Sequence, residues 1–255
     1  MFLDLYNNAR SEKDSILCIG LDPRPEKFSG ENSGQKILDF CLEIVEKTSE
    51  CVCAYKPNSQ FLLFALDIKQ LRKLNRKIHQ EGCISILDHK LTDIGSSNTS
   101  AIYWINRAGF DAFTFAPFAG NIQDTVSISH RYEMGIFVLT LMSNPESKWI
   151  QKDSIINGKP LFKEIARISG KSRADGLVVG ATENVREKDI REIRGIVGKE
   201  TILLFPGIGT QEGNISPIMR NSGNNILINV SRTIILDKKP EKRAREFCEM
   251  FNKFR

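Results

Sequence analysis

Eight short apolar runs alternate with amphipathic stretches along the whole chain, and few architectures accommodate that rhythm. The runs occupy residues 15–21, 51–56, 83–87, 112–116, 135–139, 176–180, 201–205 and 225–230. Several are apolar almost throughout, as befits parallel strands covered on both faces. Between them, apolar side chains recur at helical spacing. Ile37, Cys41, Ile44 and Val45 form one stripe; Phe64, Ile68, Leu71, Leu74 and Ile78 form a second. Leu161, Ile165 and Ile168 form a third, and Ala244, Phe247, Cys248 and Phe251 a fourth, after a Pro240 suited to a first helical turn. Eight strand–helix units in 255 residues, with no Pro/Gly/Ser-rich linker, predict an α/β fold: one (β/α)8 barrel domain over residues 1–255. A doubly wound open sheet is the alternative, because strand order is not readable from one sequence. Residues 143–159, polar and centred on Asn144-Pro145-Glu146-Ser147, read as one long irregular segment, a lid, a binding loop or a mobile stretch.

With 41% hydrophobic and 26% charged residues, the composition is that of an ordinary globular chain. No apolar run approaches the ~18 residues of a membrane helix. The N-terminus carries Asp4 and lacks the basic-then-apolar order of a secretory signal. Cys18, Cys41, Cys51, Cys53, Cys83 and Cys248 follow neither a zinc spacing nor a disulfide framework. They read as reduced thiols of a cytoplasmic protein. The net charge of +5, from 36 basic and 31 acidic residues, does not demand a nucleic acid and suits small anionic ligands equally.

In a barrel, chemistry sits where strands end and the following loops begin. The first run closes on Gly20-Leu21-Asp22-Pro23, which also fits a plain turn. The second closes on Tyr55-Lys56-Pro57-Asn58, leaving at the end of an apolar strand a lysine that needs a partner. The third supplies one in Asp88-His89-Lys90-Leu91-Thr92-Asp93. Strand alternation puts Asp88 and Lys90 on one side and His89 on the other. Lys56, Asp88, Lys90 and Asp93 then make an alternating charge set. Flanking carboxylates keep a lysine ammonium protonated, which suits a general acid rather than a Schiff-base nucleophile; an ion-pair cluster closing the barrel mouth has the same composition. His79, His89 and His130 are scattered and are expected to be solvated or locally paired, with no metal site. The last two runs lead into Pro206-Gly207-Ile208-Gly209-Thr210-Gln211 and Asn229-Val230-Ser231-Arg232. Loops at these positions recurrently bind phosphate through glycine amides, and Gln211 and Arg232 add side-chain donors.

Taken in order, these strand ends resemble the orotidine 5′-phosphate decarboxylases. Asp88, Lys90 and Asp93 fill that family's Asp-x-Lys-x-x-Asp signature; Asp22 and Lys56-Pro57-Asn58 match upstream, and the Pro206–Gln211 and Ser231-Arg232 segments match downstream. The resemblance runs from about Asp4 to Phe251. It implies decarboxylation of orotidine 5′-monophosphate, the last step of de novo UMP synthesis, without metal or organic cofactor. Lys90 is then the proton donor, held by Lys56 and Asp93, with Asp88 against the departing carboxylate. Asp22 and Lys56 are implied to contact the ribose, Ser143 the base, and Pro206, Gly209, Gln211, Ser231 and Arg232 the pyrimidine and phosphate. Where many members carry threonine four residues after the last signature Asp, this chain has Ser97, which keeps the hydroxyl. A homodimer is implied too, with Asp93 and Ile94 reaching into the neighbour's site, and no nucleic-acid or membrane partner. Sugar-phosphate enzymes of the same suprafamily share the signature but hold magnesium partly through a Glu ending the second strand. Lys56 stands there instead and would repel the ion. A non-catalytic barrel binding nucleotide or RNA is the other alternative, disfavoured because Asp22, Asp88 and Asp93 repel a polyanion.

Overall fold

A computed structural model describes residues 1–181, 184–208 and 215–255. The eight apolar runs form strands β1 (Leu17–Leu21), β2 (Ala54–Pro57), β3 (Ile84–Leu91), β4 (Ala112–Phe115), β5 (Gly135–Leu141), β6 (Gly176–Val179), β7 (Ile202–Pro206) and β8 (Ile226–Val230). They pair in parallel in sequential order, and β8 returns to β1 through Leu17↔Ile228, Cys18↔Asn229 and Ile19↔Val230. That closing ladder excludes the open sheet. The strands are followed by helices α1 (Ser33–Thr48), α2 (Ile68–Gln80), α3 (Gly95–Arg107), α4 (Ile122–Arg131), α5 (Leu161–Lys171), α6 (Glu187–Val197), α7 (Ser216–Ser222) and α8 (Pro240–Asn252).

Strand alternation divides the core in two. Leu17, Ile19, Tyr55, Leu87, Phe113, Phe115, Val138, Leu203 and Ile228 face outward against the helices. Cys18, Ala54, Ile84, Ile86, Ala112, Phe137, Val178, Leu204 and Leu227 face the barrel interior. The interior is filled from the N-terminal side by an additional helix, Phe2–Glu12, which the sequence reading passed over. Its Phe2, Tyr6 and Ala9 join the interior cluster. The Phe2 ring meets Phe137 edge-on at 5.7 Å, and Tyr6 Oη donates to Ile226 O at 3.1 Å. Gly135 makes room for it, since a Cβ there would lie 2.4 Å from the Phe2 ring.

Two expectations are corrected. The second helical stripe does not start at Phe64, which is fully exposed. Asp67 caps α2 through a reciprocal pair with Gln70, so the helix begins at Ile68. Residues 143–159 are not irregular: they contain a short helix, Ser147–Gln151, and an antiparallel hairpin pairing Ile155–Ile156 with Lys159–Pro160. Asn157 and Gly158, both at positive φ, make its two-residue turn. All six cysteines are free. Among the described residues, no helix is long and apolar enough to cross a membrane.

Candidate active site

The interior-facing position at the C-terminal end of β2 is Lys56, 4% exposed. An ammonium so buried survives only with counter-charge, and β3 provides it. Lys56 Nζ donates to Asp88 Oδ2 at 2.5 Å, and Lys90 Nζ donates to Asp88 Oδ1 at 2.5 Å. One carboxylate therefore bridges two ammoniums. Thr114 on β4 also donates to Asp88 Oδ1, at 3.2 Å, and its hydroxyl accepts the Lys90 amide at 2.9 Å. Ser59 donates to the Asp88 carbonyl at 3.1 Å. Sequence reasoning did not single out Thr114 or Ser59; their only signal was a hydroxyl at a strand end and one after Lys-Pro-Asn.

The geometry at Lys90 is unusual. The β3–β4 register shifts between Leu87 and Leu91, and Lys90 sits at φ +55°. A non-glycine residue in the left-handed region carries strain of a kind concentrated at functional sites. This bulge aims the Lys90 side chain, about two-fifths exposed, along the mouth. His89 points the other way, as alternation requires. It lines an outer groove with Leu63, Leu71, Leu87 and Trp104, where burial depresses its pKa.

The charges reinforce one another. Burial pushes the Asp88 carboxyl up, but Lys56 and Lys90 outweigh that effect and hold it well below the usual carboxylate range. Burial likewise pushes Lys56 down, and Asp88 and Asp22 more than compensate, leaving the ammonium above its ordinary value. Both groups stay charged through the physiological range.

Asp22 lies just beyond β1. Its Oδ2 accepts the Ser231 hydroxyl at 2.5 Å, while its Oδ1 is buried without a partner among the described residues. Ser231 also lies 2.9 Å from Gly20 O, a contact that requires glycine, since a Cβ there would come 2.9 Å from the Ser231 Cβ. β1 and β8 thus meet at the mouth through Asp22 and Ser231. Arg232 is exposed beside them and forms no ion pair among the described residues. Pro206 ends β7 at the mouth, followed by Gly207 at φ +102°. Gly209 and Gln211 lie outside the described residues. Asp93 and Ile94 on the β3–α3 loop, and Ser97 in the first turn of α3, are exposed. Asp93 accepts the Ile94 amide at 2.8 Å and makes no ion pair among the described residues. It therefore stands apart from the Lys56–Asp88–Lys90 array within its own chain.

Ser143 follows β5 and is held against β6, where Gly180 leaves space: a Cβ there would be 2.7 Å from the Ser143 backbone. The neighbouring segment is pinned by Asn184, whose Nδ2 donates to Met142 O at 3.1 Å, Asn144 O at 3.2 Å and Ser147 Oγ at 3.0 Å. Lys152 bonds the Asn184 carbonyl and pairs with Asp189 at 2.7 Å. Nothing in the sequence pattern links residue 184 to this loop.

A barrel mouth with this array has sequence relatives. The profile of the Orotidine 5'-phosphate decarboxylase / HUMPS family matches residues 15–247. The chain belongs to that family. An orotidine 5'-phosphate decarboxylase of Dechloromonas aromatica is 36% identical over 257 residues, covering 95% of this chain and 93% of the relative. Among solved structures, the Leishmania donovani OMP decarboxylase superposes with a TM-score of 0.84 at 27% identity, covering 99% of this chain and 98% of that one. The Leishmania donovani UMP synthase superposes with a TM-score of 0.84 at 28% identity, and there 98% of this chain covers 56% of the other. Family membership and the closed barrel agree with the family resemblance and the (β/α)8 fold expected from the sequence.

Proposed function

We propose that this chain decarboxylates orotidine 5′-monophosphate to uridine 5′-monophosphate and CO₂, completing UMP synthesis. The observation that carries the proposal is the Asp88 carboxylate clamped between two lysine ammoniums at the barrel mouth. Breaking the bond between C6 and the carboxylate leaves an electron pair in the ring plane with no conjugated sink, so fixed charge must stabilise it. Lys90 supplies that charge at C6 and then the proton, forming the C6–H bond of the product. Asp88 lies against the substrate carboxylate and is relieved of repulsion as CO₂ departs, while Lys56 keeps Asp88 ionised. Asp22 and Lys56 take the ribose hydroxyls; the unpartnered Asp22 Oδ1 suits a hydroxyl donor. Ser97 assists at the ribose and Ser143 at the base. Arg232, with Pro206, Gly209, Gln211 and the backbone around Ser231, holds the phosphate, so binding energy far from C6 is used at the reacting centre.

Asp93 and Ile94 are exposed on one loop, and we place them in the neighbouring site of a homodimer. Subunit exchange between inactive Lys90→Ala and Asp93→Ala chains tests this. Each mixed dimer would carry one doubly defective site and one intact site, so about a quarter of all sites should recover activity. No recovery after exchange verified by mass would make Asp93 a partner of its own Lys90.

The reaction is tested by following the absorbance of orotidine 5′-monophosphate in EDTA. Turnover that persists with chelator supports the decarboxylase. Inertness toward this substrate, with magnesium-dependent turnover of a sugar phosphate, would overturn it. Lys56 argues against that outcome, because its buried ammonium occupies one oxygen of Asp88 and repels a divalent ion.

A further inference from the structure

The excess positive charge of this chain is concentrated on one helix. The whole molecule carries +5, and α2 alone contains Lys69, Arg72, Lys73, Arg76 and Lys77 with no acidic side chain. The remainder of the chain balances. Lys69/Lys73, Arg72/Arg76 and Lys73/Lys77 are like-charged i,i+4 pairs, an arrangement that weakens a helix. Only Lys77 is relieved, by Glu81 at 2.8 Å; Lys69, Arg72, Lys73 and Arg76 form no ion pair among the described residues. The helix dipole accounts for cations in the last turn but works against Lys69 in the first.

Beside this stripe runs a groove of about 580 Å³ lined by Lys69, Arg72, Asn75, Arg76, His79 and Gly109. Its volume lies in the range of small-molecule sites. At its floor Asn75 is 1% exposed; its Nδ2 donates to Ala108 O at 2.8 Å, and its Oδ1 is buried without a partner among the described residues. A buried acceptor in that condition calls for a donor. At the far end His79 is fixed by Asp111 at 2.9 Å.

We propose that this groove is a second ligand site, on the outer wall of the barrel, for a phosphorylated small molecule of the nucleoside di- or triphosphate class. Arg72 and Arg76 stand one helical turn apart, about 6 Å along the axis, and present planar forks to successive phosphates. Lys69 adds a third cation. A rotation of the Asn75 side chain toward the groove brings its Oδ1 to a ribose hydroxyl or a base N–H, which separates a nucleotide from a bare polyphosphate.

Calorimetric titration of the full chain with ATP, the mouth being saturated with uridine 5′-monophosphate, tests the site. One ATP should bind per chain, and Arg72→Gln/Arg76→Gln should weaken it at least tenfold while kcat/KM stays unchanged. Arg131→Gln/Arg173→Gln, in the other cationic groove near the C-terminal end of α4, should leave ATP binding as it was. Inorganic tripolyphosphate should bind more weakly than ATP, having no base or ribose donor for Asn75. The proposal is overturned if ATP does not bind at millimolar concentration, if the uridine nucleotide displaces it, or if the double variant binds it normally. Binding of a 12-nucleotide oligouridylate in place of ATP would assign the stripe to RNA and overturn it as well. Loss of decarboxylation would appear in the turnover assay alone, so the two readings fail separately.

Discussion

The two ends of the barrel are built on opposite principles. At the mouth, Lys56, Asp88 and Lys90 crowd together, Lys90 holds a strained backbone angle, and Asp22 leaves a buried oxygen unsatisfied. At the floor, the helix Phe2–Glu12 fills the interior with apolar side chains, and charged groups are tied one by one to helix ends and strand-start backbone. His79 pairs with Asp111, whose Oδ2 also accepts the Ser85 amide; His130 pairs with Asp175, whose Oδ2 also accepts the Ile136 amide. These are equivalent ties, from a helix C-terminus to the residue before a strand, two βα units apart. Arg194 adds a third, donating to the carbonyls of Ser222, Gly198, Thr201 and Asn225. Burial lowers its pKa to about 10, which leaves it charged at neutral pH. The contrast teaches that this fold ties charged side chains singly to backbone at one end and crowds them against one another at the other, where a substrate can use them.

The sharpest test of that division is Lys90→Ala. It should lower turnover by at least about 10²–10⁴-fold, the worth of a positioned general acid, while uridine 5′-monophosphate still binds by calorimetry. Asp88 loses one of its two counter-ions, so its carboxyl should titrate higher than in the parent. Turnover within about tenfold of the parent would remove Lys90 as proton donor.

Arg232→Ala probes the remote part of the mouth. Truncating a charged hydrogen-bonding group should cost about 2 kcal/mol in kcat/KM, roughly 30-fold. An unchanged kcat/KM would take Arg232 out of the site.

Phe2→Ala acts at the floor. Removing a ring buried against Phe137 should cost about 3–5 kcal/mol of stability, lowering Tm by roughly 2–4 °C for each kcal/mol. kcat should not change. A parallel loss of kcat in protein still folded at the assay temperature would show that the two ends are not independent.

The smallest effect is one of pH. Hydrogen bonds to Asp111 and Asp175 raise the pKa of His79 and His130 above the ordinary value. Their contribution is therefore full below about pH 6.5 and fades as pH rises through the raised folded values. Both side chains are about two-fifths exposed, so solvent screening limits the pair to less than about 1 kcal/mol. Tm measured on both sides of neutrality should fall less steeply for His79→Gln/His130→Gln than for the parent. Asp88 has the opposite sign: its depressed carboxyl stabilises above about pH 4 and loses that contribution only as pH falls through the folded value.

Much of this division is readable without coordinates. All eight strands follow from short β-rich runs, several of them apolar almost throughout, because a strand covered on both faces has no polar side to blur it. The placing of Asp88 and Lys90 on one side of the strand follows from their spacing, and the approach of Asp88 to Lys56 from each ending a strand beside the other. The hairpin at residues 155–160 was also legible, since Asn157-Gly158 is a turn signal; it was passed over because the surrounding segment is polar. The N-terminal plug was not legible, because nothing in a short amphipathic helix says which surface receives it.

By itself, the sequence determined the number and kind of units, the residues that end the strands, and the charges they carry there, all consequences of local periodicity and side-chain chemistry. The tertiary structure decided what depends on long-range closure. β1 had to pair with β8 before Asp22 could meet Ser231. The β3–β4 register had to slip before Lys90 could adopt its left-handed angle and close on Asp88. Asn184 had to reach Met142 and Asn144 before the backbone on either side of Ser143 was tied down, because hydrogen bonds between distant segments have no period for a sequence to display.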